Sequence, residues 1–364
     1  MRRHSIAVQG IALGISAAAL WWLGHNTANT LDQHGISLGF GFLRQPANFE
    51  IGDAPIAYSP ADTFVRAILV GLANTARVSV LGWILAIALG FVLGILRLAT
   101  NPAVRGVARG IVELVRNVPL LLLLLFLAAT MHTLPPARGA LEPLPSVFVS
   151  DRGLVMPSLS LSSVQLTLGV ALLAVLVVGA SRVPIRRAVA WKVLAGALGL
   201  AMIGSIAIAV PVLERPHLQG FNFVDGITIS PELTALLGAL VLHHAAHISE
   251  VVRGAVLAVP ARQRDAAVAL GLSRGQTMRF VVVPQALRAM VPLIATNCVS
   301  LTKNSSLAVA IGFPDVVSIL NTTANQTGHA IETMLIMIVV YLTLSLMVAA
   351  AMNAYNRRLL RPAA

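Results

Sequence analysis

A lysine, three histidines and two pairs of opposite charges are the residues of this chain with the most chemical potential, and all of them lie in apolar sequence. Lys303 stands in "TKNSS", followed by Asn304, Ser305 and Ser306. A charge at membrane depth is costly and marks a functional candidate. The ammonium could meet the carboxylate of a bound solute, or it could reach an interface and pair with a carbonyl. The polar residues after it could donate hydrogen bonds, or break the helix so that its amino end faces an anion.

The histidines lie together in "VLHHAAH". His243 and His247 share one face of a helix, and this spacing could hold a metal ion. No cysteine or carboxylate stands at a matching depth, so we predict no metal site. Hydrogen bonding between helices is the favoured interpretation, and contact of His247 with a transported solute is the alternative.

Two E-x-x-R pairs, Glu113 with Arg116 and Glu250 with Arg253, stand where apolar runs give way to charged sequence. Residues three apart meet on one helix face, and such a pair adds about 0.2–0.5 kcal/mol to helix stability. The sequence predicts two interfacial ion pairs. Whether they also form an inner gate or anchor a loop is left open by the spacing.

The elements that carry these residues are membrane helices. The chain is 57% hydrophobic and only 11% charged, and its mean hydropathy is +0.83. A span needs about 20 mainly apolar residues. This rule predicts eight spans, an all-α polytopic bundle, near residues 8–24, 78–98, 114–132, 163–181, 192–212, 232–252, 290–312 and 331–354. The first apolar run has no small-residue cleavage site after it, so it is predicted to be an uncleaved span. Residues 63–77 are predicted as an interfacial helix or an extension of the second span.

The distribution of basic residues sets the orientation. With both ends in the cytoplasm, 19 of the 26 Lys and Arg residues fall on the cytoplasmic side, as the positive-inside rule requires. The net charge of +12 therefore indicates membrane topology and not nucleic-acid binding. The predicted organisation is a first span with an outer loop (1–62), a transmembrane domain (63–354) and a cytoplasmic tail (355–364). The outer segments 25–62 and 133–162 are predicted to be loops and not domains.

One cytoplasmic segment, residues 253–289, is too polar to insert, and we call it the charged loop. Pro260 begins a helix that Gly271 ends, because glycine is favoured just past a helix terminus. Ser273 and Gln276 have the spacing of a capping box, which begins a second helix. Pro284 is predicted to interrupt that helix, since proline has no N–H. Orienting the chain needs only arginines, so these fixed breakers and caps favour a docking element over a loop that merely lies on anionic lipid.

The charged loop resembles the EAA loop of permeases from ATP-binding-cassette (ABC) importers. The pattern is carried by "DAAVALG", nine further residues and "VVVP", with Asp265, Ala266, Ala267, Gly271 and Pro284 at the matching positions. Asp265 stands where the family usually has Glu. The segments "ELVRNVPLLLLLLF" and "LTKNSSLAVAIGF" are similar to the polar amino acid subfamily, and the long outer loops resemble its general L-amino acid type.

The resemblance implies a type I importer permease fold in a bacterial inner membrane. It also implies ABC ATPase subunits that bind ATP and Mg, a second permease subunit (a related chain or a copy) and a periplasmic amino-acid-binding protein. The chain itself has no G-x-x-x-x-G-K-[ST] loop, so we expect it to bind no cofactor and to be no enzyme. An ion-coupled secondary amino acid carrier is the alternative. The lack of Asp or Glu in the middle of any predicted span argues against it.

Overall fold

The computed structural model of the chain describes residues 2–33, 39–160 and 212–359, together with positions 197, 200 and 201. The described part is mostly helical. Its contacts divide the chain into two compact units, one formed by residues 1–98 and 248–364 and the other by residues 99–247. One long helix, α5 (Pro231–Leu257), contributes residues to both units.

The first unit is helical. In chain order it contains α1 (Arg2–Gln33), a 3-10 turn (Gly41–Arg44), α2 (Phe64–Leu96), the end of α5, α6 (Ala261–Ala269), α7 (Arg274–Thr277), a π-helical turn (Met278–Val282), α8 (Val283–Asn304), a 3-10 helix (Ser305–Ile311), α9 (Val316–Thr327) and α10 (Ala330–Leu359).

Glycines on α2 allow these helices to approach closely. A Cβ at Gly71 would lie 2.9 Å from side-chain and backbone carbons of α9, and one at Gly82 would lie 2.9 Å from Leu301 of α8. Next to the second contact, the Trp83 indole N–H donates to the Cys298 carbonyl at 2.9 Å. The small residues of α2 therefore form the seam on which α8 and α9 pack, as is common between helices in membranes.

The second unit combines helices with antiparallel strands. The helices of this unit with described bounds are α3 (Pro102–Asn117), α4 (Leu120–Thr133) and the start of α5. The strands are β1 (Leu141–Leu144), β2 (Val147–Ser150), β3 (Gly153–Met156), β4 (Ser158–Ser160), β5 (Val212–Glu214), β6 (His217–Gln219), β7 (Asn222–Val224) and β8 (Ile227–Ile229). They form one sheet in the order β1-β2-β3-β8 and two pairs, β4-β5 and β6-β7.

Residues 133–162, predicted as outer loops and not domains, contain strands β1 to β4 in their described part. Strands of three or four residues are too short to show a clear period of two in the sequence. Their pairing depends on the partner strand β8, where Val155 lies opposite Thr228, and on Gly153. At Gly153 φ is +101° and an added Cβ would lie 2.0 Å from the Ile229 carbonyl oxygen, so only glycine fits there.

Four helices in the described residues are long and apolar enough to cross a membrane: Phe64–Leu96, Pro231–Leu257, Arg274–Ile311 and Ala330–Ala350. The pair α3 and α4, bent by 102°, would make a fifth. The chain is thus a multi-pass membrane protein. Residues 63–77 extend the second predicted span, since α2 begins at Phe64. Eight crossings stay a prediction, because the spans predicted at 163–181 and 192–212 fall almost wholly outside the described residues.

Candidate functional site

Within the charged loop, three residues separate the end of α5 at Leu257 from the start of α6 at Ala261. Pro260 precedes α6, and Leu270 caps its end. At Gly271 the backbone is left-handed, with φ +76°. Here the Gly271 N–H donates to the Val268 carbonyl at 2.9 Å, and the Leu272 N–H donates to the Ala267 carbonyl at 3.1 Å. These two bonds form a Schellman motif, so the predicted stop at Gly271 is confirmed.

The predicted capping box is present as well. The Gln276 N–H donates to Ser273 Oγ at 3.3 Å, and the Ser273 N–H donates to Gln276 Oε1 at 2.8 Å. The prediction for Pro284 is wrong, because the chain runs on from α7 into α8 without a break. Pro284 lies in the first turn of α8, directly after the π-helical turn. A proline in a first helical turn loses no intrahelical bond.

The charged loop leaves several large apolar groups exposed. Its buried side chains are six small or branched ones: Ala255, Val259, Ala267, Thr277, Val282 and Ala286. Val268 is 62% exposed, Leu270 is 82% exposed and Phe280 is 61% exposed. Asp265 and Ala266 are exposed. Among the described residues, none forms an ion pair with Asp265. The backbone of the loop is thus fixed by the Schellman motif at Gly271 and the capping box at Ser273. Its outer face combines exposed apolar side chains with charged ones.

Of the two predicted ion pairs, Glu250 forms the one with Arg253, at 2.5 Å. Glu250 also pairs with Arg97, whose Nη2 lies 2.6 Å from Oε2. For Glu113 the structure gives a different partner: Arg109, on the preceding helical turn, lies 2.7 Å away. Arg97 has no sequence signal beyond its place after α2, because the residue it meets is far away along the chain.

Lys303, Ser306 and Tyr341 line one cavity of about 570 Å³, which also includes Met337 and Ser345. Lys303 is exposed. The α-helix ends at Asn304, and the chain continues as a 3-10 helix from Ser305, so the polar stretch does alter the helix. Ser305 is buried and donates to the Thr302 carbonyl at 2.8 Å, whereas Ser306 donates to the Lys303 carbonyl at 2.8 Å.

The histidines of α5 contact one another. The ring centroids of His243 and His247 lie 4.8 Å apart, and those of His243 and His244 lie 5.3 Å apart. In the part of the chain that the structure describes, no three His, Cys, Asp or Glu side chains come together as a metal site. The three rings therefore contact one another on one stretch of helix, His243 edge-on to His244 and tilted against His247.

A buried polar network joins α2 to the start of α9. The Asn74 side chain donates to the Asp53 and Pro314 carbonyls at 2.6 and 2.9 Å, and Thr75 Oγ accepts from the Val316 N–H at 3.2 Å. Asp315 caps α9 by accepting from the Ser318 N–H at 2.8 Å. Burial raises the pKa of Asp315 to about 6. An Asp directly before an apolar helical run is typical of such a cap.

Comparison with known proteins gives these features a family. Residues 86–361 match the family described as binding-protein-dependent transport system inner membrane component. The chain is 37% identical to the general L-amino acid transport system permease protein AapQ of Rhizobium johnstonii, over 98% of this chain and 92% of that protein. It is 39% identical to the putative amino-acid ABC transporter permease protein YhdX of Escherichia coli, over 93% of this chain and 89% of that protein.

A solved structure, described as the crystal structure of an amino acid ABC transporter with histidines, shares the fold. Its TM-score is 0.51 at 18% identity, and the match covers 81% of this chain and 95% of that chain. The family match spans most of the chain and includes the charged loop, α8 and α10. The chain belongs to the inner-membrane components of binding-protein-dependent transport systems.

Proposed function

We propose that this chain is the permease subunit of an ATP-driven importer that carries L-amino acids across a bacterial inner membrane. The names of the long relatives support the substrate class. The bias of Lys and Arg supports eight crossings with both termini in the cytoplasm. ATP and Mg are bound by separate ATPase subunits. A second permease subunit, related or identical, and a periplasmic amino-acid-binding protein complete the assembly.

The observation that carries the proposal is the outer face of the charged loop. Val268, Leu270 and Phe280 are exposed on a segment that also bears six arginines. Apolar groups clustered on an otherwise charged surface mark a contact with a protein. Exposed Asp265 adds a carboxylate that a basic group of the partner can meet. We infer that the tip of α6 inserts into a groove of the ATPase subunit.

Movement of the ATPase subunits then reaches the membrane through α6. Closure of two ATPases on ATP shifts the docked loops, and the helix bundle changes the side on which its pathway is open. The Schellman motif at Gly271 and the capping box at Ser273 keep the loop in one conformation. The loop therefore moves as one body with the ATPase and displaces the helices attached to it.

Ion-coupled transport has less support. The acidic residues of the described spanning helices stand near their ends: Glu232 and Glu250 on α5 and Glu332 on α10. Ion-driven carriers place carboxylates deep in the bundle. An energy source outside the bilayer therefore fits the chain better, and it agrees with the family.

For the solute pathway we propose the cavity beside Lys303. The cavity holds an exposed ammonium together with the hydroxyls of Ser306, Tyr341 and Ser345, which suit the carboxylate of an amino acid. Asn304 and Ser305 support the wall next to it, and His247 stays a candidate on α5. We propose that the ion pairs of Glu113 and of Glu250 lie at the cytoplasmic interface.

The docking proposal is tested with Leu270→Ser. Burying a whole leucine side chain contributes about 1.5–3 kcal/mol, and Leu270 has most of its surface still free to be covered. Loss of about 2 kcal/mol weakens binding about 30-fold. The measurement is a titration of the purified ATPase subunit against the permease assembly in nanodiscs.

The matched control is Val107→Ser. Val107 is 65% exposed but lies on α3, outside the charged loop. We expect this variant to bind the ATPase within twofold of the wild type. Equal affinity for Leu270→Ser and the wild type would refute docking through the tip of α6.

A further inference from the structure

Arg97 stands out because it is a charged side chain enclosed by protein. It caps the end of α2, and its side chain is 7% exposed. One guanidinium nitrogen lies 2.6 Å from Glu250 Oε2, and another donates to Ser249 Oγ at 3.3 Å. Both partners lie on α5. A buried charge is tolerated only when it is paired and hydrogen-bonded, so α2 and α5 must stay together for Arg97 to remain where it is.

The carboxylate of Glu250 is shared. Its other oxygen accepts from Arg253 at 2.5 and 3.2 Å, and Arg253 lies one turn further along α5, at the start of the charged loop. We call these residues, Arg97, Ser249, Glu250 and Arg253, the arginine cluster. The interaction of Glu250 with Arg253 is local to α5, whereas the interaction with Arg97 reaches a different helix.

A second feature fixes the same joint. A Cβ added at Gly94 would lie 2.7 Å from Val252 Cβ and 3.1 Å from the Ser249 carbonyl oxygen. The backbone of α2 therefore touches α5 one turn away from the arginine cluster. Close packing and an ion pair act together there, so the two helix ends form one rigid joint.

Helix α6 of the charged loop follows closely after this joint. Only three residues separate the end of α5 at Leu257 from the start of α6 at Ala261. Val259, in this link, is buried, and its carbonyl accepts from Arg264 of α6 at 3.4 Å. A short, packed link gives α6 little freedom to move without α5.

We infer that Arg97 is a positioning residue that passes the displacement of the charged loop from α5 to α2. The inference rests on the proposed function, in which an ATPase moves α6. Through the arginine cluster, movement of α5 also shifts α2, the helix on which α8 and α9 pack. Without Arg97, ATP hydrolysis continues, but less of each cycle reaches the transport pathway.

The test uses the complete importer in proteoliposomes, with its ATPases, both permeases and the binding protein loaded from a radiolabelled mixture of L-amino acids. Uptake and ATP hydrolysis are measured in the same vesicles. For Arg97→Ala we expect hydrolysis to persist and uptake per ATP to fall about tenfold, within the range typical of energetic coupling between sites. Arg97→Lys keeps the positive charge but loses the planar guanidinium, whose two nitrogens meet Ser249 and Glu250 separately. Its uptake per ATP should therefore lie between the values of the wild type and Arg97→Ala.

The control is Arg77→Ala. Arg77 is also an arginine of α2 with an ion pair, to Asp53 at 2.8 Å, but it makes that contact with the segment before α2 and not with α5. We expect its uptake per ATP to match the wild type. An unchanged ratio in Arg97→Ala, or an equal fall in Arg77→Ala, would overturn the inference.

Two further outcomes keep the test decisive. If Arg97→Ala does not assemble, Arg97→Lys carries the test, and a wild-type ratio in that variant overturns the inference. Failure of the docking proposal is recognised separately, because Leu270→Ser would then bind the ATPase normally. If only the role of Arg97 is wrong, Leu270→Ser weakens binding while Arg97→Ala leaves the ratio unchanged.

Discussion

Gly271 allows the shape of the charged loop to be tested by a single methyl group. Its backbone is left-handed, with φ +76°, and an added Cβ would meet nothing within 4 Å. Gly271→Ala therefore creates no clash with a neighbour, and its whole cost is conformational. For a residue with a side chain this region costs about 1–2 kcal/mol.

The penalty should appear as weaker docking. The loop around Gly271 is exposed, so in the free permease the strained Schellman motif can open and relieve the strain. The ATPase must then restore the motif when it binds. A cost of about 1–2 kcal/mol lowers the apparent affinity about 5- to 30-fold. Gly271→Asn should lose less, because asparagine tolerates the left-handed region.

The assay is again a titration of the ATPase against the permease in nanodiscs, with Gly275→Ala as the control. Gly275 lies in the same loop with open space around it, but its φ is not positive and it is part of α7. Alanine is favoured over glycine in a helix by about 0.8–1.0 kcal/mol, so binding should not weaken. Wild-type affinity for Gly271→Ala, or an equal loss in Gly275→Ala, would refute the requirement for a left-handed residue.

Two further predictions concern Asp315 and Lys303. Burial raises the pKa of Asp315 to about 6 from 3.8, so the folded state holds this proton more tightly than the unfolded state. The stabilisation is complete below the unfolded pKa and is lost as pH rises through about 6. Its size is on the order of 2–3 kcal/mol. Asp315→Asn keeps a capping oxygen and should remove this part of the pH dependence in thermal melts of the detergent-solubilised protein; an unchanged slope would contradict it. For the proposed solute cavity, Lys303→Gln should raise the KM for uptake about tenfold with little change in basal ATP hydrolysis, since a hydrogen bond to a charged group contributes about 1.5–3 kcal/mol. An unchanged KM in proteoliposomes would refute the proposal that Lys303 contacts the solute.

The features that sequence reasoning predicted correctly are those determined within a few residues. The stop at Gly271 depends on one left-handed residue, and the capping box depends on Ser273 and Gln276 alone. The helical spans follow from runs of apolar residues, which need no knowledge of a partner. At Pro284 the same local logic failed, because the π-helical turn before it placed the proline at the start of a helix and not in its interior.

Features that depend on distant partners were not predicted. Strands β1 to β3 are stabilised by β8, which follows them only after two predicted spans, and their three or four residues show no period. The partner of Glu113 was missed for a smaller reason. Arginines stand both four residues before it and three after it, and spacing alone does not choose between them.

Arg97 shows where this limit matters for function. Counted as one more positive charge near a membrane span, it contributes to topology and nothing else. Its contacts with Ser249 and Glu250 give it a different meaning, because they join the end of α2 to the helix that carries the charged loop. The E-x-x-R spacing identified Glu250 correctly but assigned it only a local partner. One oxygen of the Glu250 carboxylate pairs with Arg253 on the same helix, and the other pairs with Arg97 on α2. The spacing in the sequence predicts the first interaction, whereas the second depends on how the two helices pack.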